Sequence, residues 1–186
     1  KHLATLSEDS VPLNYWRMAL EGKPLKYNLT GHSLNRCGEV CGTLIGGNLS
    51  VLYGLQRTPF QLLEGRQKDC HPILFIEDIA ERHYHVDRMI QNLRMSGVLE
   101  QISGLIVGQF ADCHDDEDMK ETVYETIARA VDGYDYPVLF DFPAGHVDDN
   151  MPLWLGCPTT LIVGKDCSDT TSACCVQIVP TTLTLP

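Results

Sequence analysis

The sequence predicts a mixed α/β domain, with strands and helices alternating from about residue 37 and a β-rich C-terminal end. Three observations carry this. Residues 72–76 hold a compact apolar run, Ile73, Leu74, Phe75 and Ile76, the mark of a buried strand. Residues 84–96 place Val86, Met89, Ile90 and Leu93 at i, i+3, i+4 and i+7, one face of a helix that Gly97 closes. Residues 137–142, 159–163 and 174–179 then read as strands with no helical pattern between them.

Taken in order, residues 1–36 read as an arm leading into the domain. Within it, residues 11–22 fit one amphipathic helix with Leu13, Trp16, Met18 and Leu20 among its apolar positions and Gly22 at its end. Residues 25–36 read as polar and without periodicity. Residues 39–45 are a strand candidate ending in Gly46-Gly47, and Asn48 can cap a helix running to about Gln56. After the strand at 72–76 and the helix at 84–96 come a strand at 102–110 and a helix at 119–131, with Val123, Ile127 and Ala130 on one face. The domain is therefore placed at 37–186.

A chain of 186 residues suits one domain, and 44% hydrophobic with 21% charged residues is an ordinary globular balance. The net charge of −11 repels phosphate backbones and anionic membrane surfaces, so neither nucleic acid nor a membrane is an expected partner. No run of eighteen apolar residues is present. Asp112, Asp115, Asp116, Glu117, Asp118 and Glu121 crowd around the single Lys120. They lack the spacing and central Gly of a calcium loop and read as a solvated lead into a helix.

The eight cysteines carry no zinc-site spacing and read as small buried hydrophobes in a reducing compartment. Cys70, His71, His83 and His85 read as surface residues flanking a helix start rather than as ligands, since positions two apart on a helix point in different directions. No metal or cofactor is expected.

Three places could carry chemistry. The strand at 72–76 ends in Glu77-Asp78, and acids there sit at the sheet edge where α/β proteins build sites. Position alone leaves open which acid works, or whether either merely caps the next segment. Gly145-His146-Val147 comes after Phe142-Pro143-Ala144, so a turn presents a histidine suited to proton transfer near neutral pH, or one that is simply hydrogen-bonded there. Gly46-Gly47-Asn48, between a strand and a helix, could offer backbone N–H groups to an anion such as a carboxylate, or could be a tight turn with Asn48 as cap. Ser33, in Gly31-His32-Ser33-Leu34-Asn35, lacks the second Gly of a nucleophile elbow.

Together these places resemble one family, the L,D-carboxypeptidases (muramoyl-tetrapeptide carboxypeptidases). Gly42-Thr-Leu-Ile-Gly-Gly-Asn-Leu-Ser-Val-Leu followed by Thr58-Pro59 resembles their Gly-Gly-Asn-Leu segment. Ile73-Leu-Phe-Ile-Glu-Asp, then Asp87-Arg88 and Leu93, resembles their glutamate strand and next helix. Gly104-Leu-Ile-Val-Gly-Gln-Phe resembles the following strand, and Gly145-His146 with Asn150, Pro152, Leu153 and Gly156 their histidine turn.

The resemblance implies a serine peptidase whose C-terminal, swivelling β/β/α-type domain is the part read here. It implies that Glu77 and His146 are catalytic, as two members of a Ser-His-Glu triad, and that Gly46, Gly47 and Asn48 bind substrate. No serine of this sequence matches the family's nucleophile motif, so that serine is expected in an N-terminal nucleophile domain outside it, leaving this chain inactive alone. The implied substrate is the murein tetrapeptide, which loses its terminal D-Ala during cytoplasmic cell-wall recycling. A sister branch cleaves a peptide-nucleotide antibiotic and confers immunity. A binding module that keeps the fold without catalysis is the reading from a different class. Expected partners are thus a murein peptide and the nucleophile domain, with a homodimer left open.

Overall fold

A computed structural model of the chain describes residues 7–8, 10–63, 71–113, 120–164 and 173–178. Among the described residues the elements are, in order, α1 (Val11–Leu20), β1 (Leu25–Thr30), β2 (Gly38–Asn48), α2 (Leu49–Gly54), β3 (Ile73–Ile79), α3 (His83–Met95), β4 (Gly104–Ala111), α4 (Val123–Ala130), β5 (Val138–Leu139), β6 (Pro158–Val163) and β7 (Ala173–Ile178). The strands form one seven-stranded mixed sheet in the order β1-β7-β6-β2-β3-β4-β5. Strands β2, β3, β4 and β5 run parallel, linked through α2, α3 and α4, whereas β1, β7, β6 and β2 pair antiparallel. The α/β class and the β-rich end are as the sequence predicts.

The parallel half explains the apolar run at 72–76. Strand β3 lies between β2 and β4 with α2, α3 and α4 on one face and α1, β1 and the segment after β5 packed into the core on the other, and its residues from Ile73 to Asp78 are all buried. Residues of even number, Leu74 and Ile76, join Val86, Ile90 and Leu93 of α3 and Ile127 of α4 in one core. Residues of odd number, Ile73 and Phe75, face a second core with Tyr27, Phe142, Ala144, Leu161 and Val176. Each fully buried aliphatic side chain contributes roughly 1.5–3 kcal/mol, so both layers pin the strand and fix which face each residue takes.

Several expectations need correcting. Residues 25–30, read as part of an arm, are β1, which pairs with β7 from Leu25↔Ile178 to Thr30↔Ala173. Leu25, Tyr27 and Leu29 alternate with Lys26, Asn28 and Thr30, a strand period in a run of only six residues. Gly46, Gly47 and Asn48 are not a loop. Strand β2 runs on through them and pairs Gly46↔Phe75, Gly47↔Ile76 and Asn48↔Glu77.

Next, β5 covers two residues rather than six, because Asp141 turns the chain left-handed (φ 65°) and interrupts the regular pairing with β4, which Phe142 N–H rejoins at Val107 O (3.0 Å). Helix α4 begins at Val123, four residues later than expected, where Thr122 and Glu125 form a reciprocal capping box. Asp115 to Asp118, Cys70 and Cys167 lie outside the described residues, as does the side chain of Cys174. Of the cysteines read as buried, Cys37 and Cys41 are exposed, and Cys113, Cys157 and Cys175 are partly so.

Candidate active site

The C-terminal ends of β2, β3 and β4 meet at one edge of the sheet, and Glu77 lies there, 7% exposed, in register with Asn48. Opposite Glu77 the β3–β4 ladder slips. Ile76 pairs with Val107, yet Asp78 pairs with Phe110, so Gly108 and Gln109 stand against the single residue Glu77. This bulge kinks β4 and makes room on the Phe75 face. The segment after β5 fills that room. Phe142 and Ala144 enter the second core, Gln109 N–H donates to Ala144 O (2.9 Å), and the chain turns at Gly145.

Two glycines permit the approach. A Cβ on Gly108 would stand 2.5 Å from Ala144 O and 2.7 Å from the Phe75 ring. A Cβ on Gly145 (φ +137°) would stand 3.0 Å from Glu77 Oε2. With neither present, His146 reaches back over the strand, and its Nδ1 lies 2.8 Å from Glu77 Oε2. Residues 69 positions apart in sequence thus form one pair.

Its electrostatics follow from its placement. An ionised carboxylate only accepts, so beside it the neutral ring places its proton on Nδ1 and leaves the Nε2 lone pair open. Among the described residues Nε2 makes no hydrogen bond, and the imidazole is 46% exposed against 9% for the Glu77 side chain. A buried carboxylate orienting a half-exposed imidazole is equipped to take a proton from a hydroxyl and hold the imidazolium that forms. The turn is closed from its far side, where Asn150 Oδ1 accepts from Gly145 N–H (3.1 Å) and Trp16 of α1 donates to Asn150 O (3.0 Å).

Asp78, the other acid left open by position, points the opposite way. Its carboxylate accepts from Ser50 N–H (2.8 Å), Asn48 Nδ2 (2.7 Å) and its own neighbour Ile79 N–H (2.9 Å). Asn48 Oδ1 in turn accepts from Val51 N–H (3.1 Å), capping α2, and from Ser50 Oγ (2.6 Å). The Asn48 oxygen and the Ser50 hydroxyl are therefore committed to structure. Gly46 is demanded by packing, since its Cβ would fall 1.8 Å from Phe75 O, while Gly47 (φ +143°) has nothing within 4 Å. What this stretch can offer a ligand is its glycine backbone.

The weighed histidines do not gather. His71 lies on Gln101 O (3.1 Å), His83 on Thr126 Oγ1 (2.6 Å) and His85 on Glu81 (2.9 Å). His83 is buried rather than at the surface as expected, because the first turn of α3 packs it against α4. Among the described residues no group of three or more His, Cys, Asp or Glu is placed to hold a metal ion. Nor is any helix among them long and apolar enough to cross a membrane. Sequence reasoning passed over Gly108, Gln109 and Asp141 at the site. A glycine inside a strand pattern, as at Gly108, is the one signal that could have pointed there, since it marks a close backbone approach.

Comparison with known proteins bears on the same edge. Residues 41–161, which include both members of the pair, match the LD-carboxypeptidase C-terminal domain. The chain belongs to the LD-carboxypeptidase family. A Synechocystis protein named as a carboxypeptidase is 35% identical over 156 residues, 83% of this chain and 50% of the relative. The microcin C7 self-immunity protein of Escherichia coli is 29% identical over 152 residues, 81% of this chain and 41% of the relative. The crystal structure of muramoyltetrapeptide carboxypeptidase from Oxalobacter formigenes superposes with a TM-score of 0.77 at 25% identity, covering 94% of this chain and 57% of that one. The chain spans about half the length of these relatives. The expected family and fold therefore hold.

Proposed function

We propose that this chain is the C-terminal domain of a serine-type L,D-carboxypeptidase and contributes Glu77 and His146 to a Ser-His-Glu triad. The nucleophile serine comes from a domain outside this sequence. The substrate is the murein tetrapeptide, and the reaction removes its terminal D-Ala during cytoplasmic cell-wall recycling. The observation that carries this reading is the 2.8 Å contact between His146 Nδ1 and Glu77 Oε2, which leaves Nε2 available at a half-exposed edge.

The chemistry follows from that polarity. His146 Nε2 takes the serine proton as the serine oxygen bonds to the carbonyl carbon of the terminal peptide bond. Glu77 accepts a hydrogen bond from Nδ1–H throughout and stabilises the imidazolium. His146 then protonates the leaving nitrogen of D-Ala as the C–N bond breaks, leaving an acyl-serine. A water, deprotonated by His146 Nε2, then bonds to the acyl carbon, and His146 returns that proton to the serine oxygen as the acyl–oxygen bond breaks and the tripeptide leaves. Gly46, Gly47 and Asn48 end beside Glu77 in register and bind substrate through backbone groups.

The likeness to a microcin self-immunity protein favours one second reading, cleavage of a peptide-nucleotide antibiotic at the same pair. The deciding test offers the protein joined to its nucleophile domain both an L,D-tetrapeptide and an aminoacyl-sulfamoyl nucleoside. Release of D-Ala, abolished by His146→Ala, is expected, together with no release by this chain alone. Cleavage of the nucleoside only would replace the first reading by the second, and cleavage of neither would leave a non-catalytic binding module.

A further inference from the structure

We infer that Gln109 is a positioning residue for His146, acting through Asp141 and the turn that Asp141 begins. The inference rests on His146 being the working imidazole, and it concerns what holds that ring in place. Gln109 is one of the two residues that the β4 bulge sets against Glu77. Freed from the regular ladder, it binds the segment after β5 at three points. Its Nε2 donates to Asp141 Oδ1 (2.8 Å) and, at 3.3 Å, to Phe142 O, and its N–H donates to Ala144 O (2.9 Å). Its carbonyl also lies 3.1 Å from where a Gly145 Cβ would be, so Gln109 lines the path from Asp141 to the residue before His146.

Asp141 is the reason this matters. At φ 65° it occupies backbone space that L residues other than Asn and Asp rarely take, and they take it when their surroundings hold them there. Its Oδ1 also lies 3.4 Å from the Tyr124 hydroxyl, whose single proton is shared between Gly108 O (3.0 Å) and this oxygen. The side chain of Asp141 is thereby tied to both residues of the bulge, and the tie fixes the angle at which the chain leaves β5. That angle decides whether His146 meets Glu77, because only Phe142, Pro143, Ala144 and Gly145 separate the two points. A carboxylate that faced solvent alone would set no such angle.

The experiment reads the ring itself. In the 186-residue chain labelled with 15N-histidine, long-range proton–nitrogen spectra report the tautomer of His146 and the exchange rate of its Nδ1 proton. The wild-type ring is expected to hold the Nδ1–H form. Gln109→Met keeps length and the backbone bond to Ala144 but removes the side-chain donor. It should raise the Nε2–H population and speed exchange about three- to tenfold, the scale of one hydrogen bond's net worth.

Asp141→Gly, which accepts the left-handed backbone but lacks the acceptor, should behave likewise. Asp141→Asn, which tolerates that backbone and keeps an acceptor oxygen, should match the wild type. A folded Gln109→Met with wild-type tautomer and exchange would overturn the inference. If that variant does not fold, identical spectra for Asp141→Gly and Asp141→Asn overturn it instead. A purely supportive role would lower the melting temperature of all the variants and leave the tautomer unmoved. The readout needs no turnover, so its failure is distinct from a failure of the carboxypeptidase reading.

Discussion

Glu77 and Asp78 are consecutive in β3 and both buried, yet one faces the histidine turn and the other faces α2. Alternation along a strand accounts for the split, since Glu77 follows Ile73 and Phe75 onto one face and Asp78 follows Leu74 and Ile76 onto the other. The surroundings then assign the work. Asp78 has its oxygens filled by Ser50 N–H, Asn48 Nδ2 and Ile79 N–H, which leaves it no partner to orient for chemistry. Glu77 holds a ring that is half in solvent and whose second nitrogen is open. Under the proposed function, two like acids side by side are thus assigned separately to stability and to catalysis, and exposure of the partner is what tells them apart.

The largest expected effect on this contrast is at His146. In the protein joined to the proposed nucleophile domain, His146→Ala should cut kcat by about 10⁴ or more while the melting temperature stays close to wild type, because the ring is half-exposed. Steady-state turnover beside a thermal melt checks it. Equal loss in both would place His146 with the structural residues.

Asp78→Ala should show the opposite signature. Removing a buried acceptor leaves two N–H groups and an amide unsatisfied, at a cost of about 3 kcal/mol. Denaturant unfolding measures that cost, while the His146 spectrum should retain the Nδ1–H form. Loss of that form would mean the two acids are coupled.

Thr122→Ala, on a helix end away from the pair, should cost about 1 kcal/mol through the capping box alone. The Thr122 N–H and hydroxyl hold the Glu125 carboxyl below its usual range. A group depressed in the folded state stabilises above its unfolded pKa and stops doing so as pH falls through the folded value. The gap between wild type and Thr122→Ala should therefore narrow as pH drops below the ordinary glutamate range, and a gap that widens on acidification would contradict the capping assignment.

Much of this was legible in the chain itself. The run Ile73 to Ile76 announces a strand covered on both faces, and the spacing of Val86, Met89, Ile90 and Leu93 announces α3, because burial there follows the local period. Glu77 and His146 stand out by residue type and by following apolar runs that read as strands. What places Asp78 on the far face is also in the sequence, through alternation, but choosing between the two acids needs to know which face the histidine approaches. That depends on the slip at Gly108–Gln109 and on the left-handed Asp141, each of which exists only once β3, β4 and the return segment are packed together. Strand β1 was overlooked for a simpler reason, since six alternating residues give a weak signal until β7 lies beside them.

The most direct test of the account is the turnover of Glu77→Gln in the protein joined to the proposed nucleophile domain, measured as D-Ala released from an L,D-tetrapeptide. Glutamine keeps the shape at position 77 but cannot stabilise an imidazolium as a carboxylate does, and it can hold the ring in the wrong tautomer. The account predicts an unchanged fold with kcat lowered by roughly 10³- to 10⁴-fold, in line with loss of the orienting acid from such a triad. A Glu77→Gln protein that keeps kcat within tenfold of wild type would contradict it.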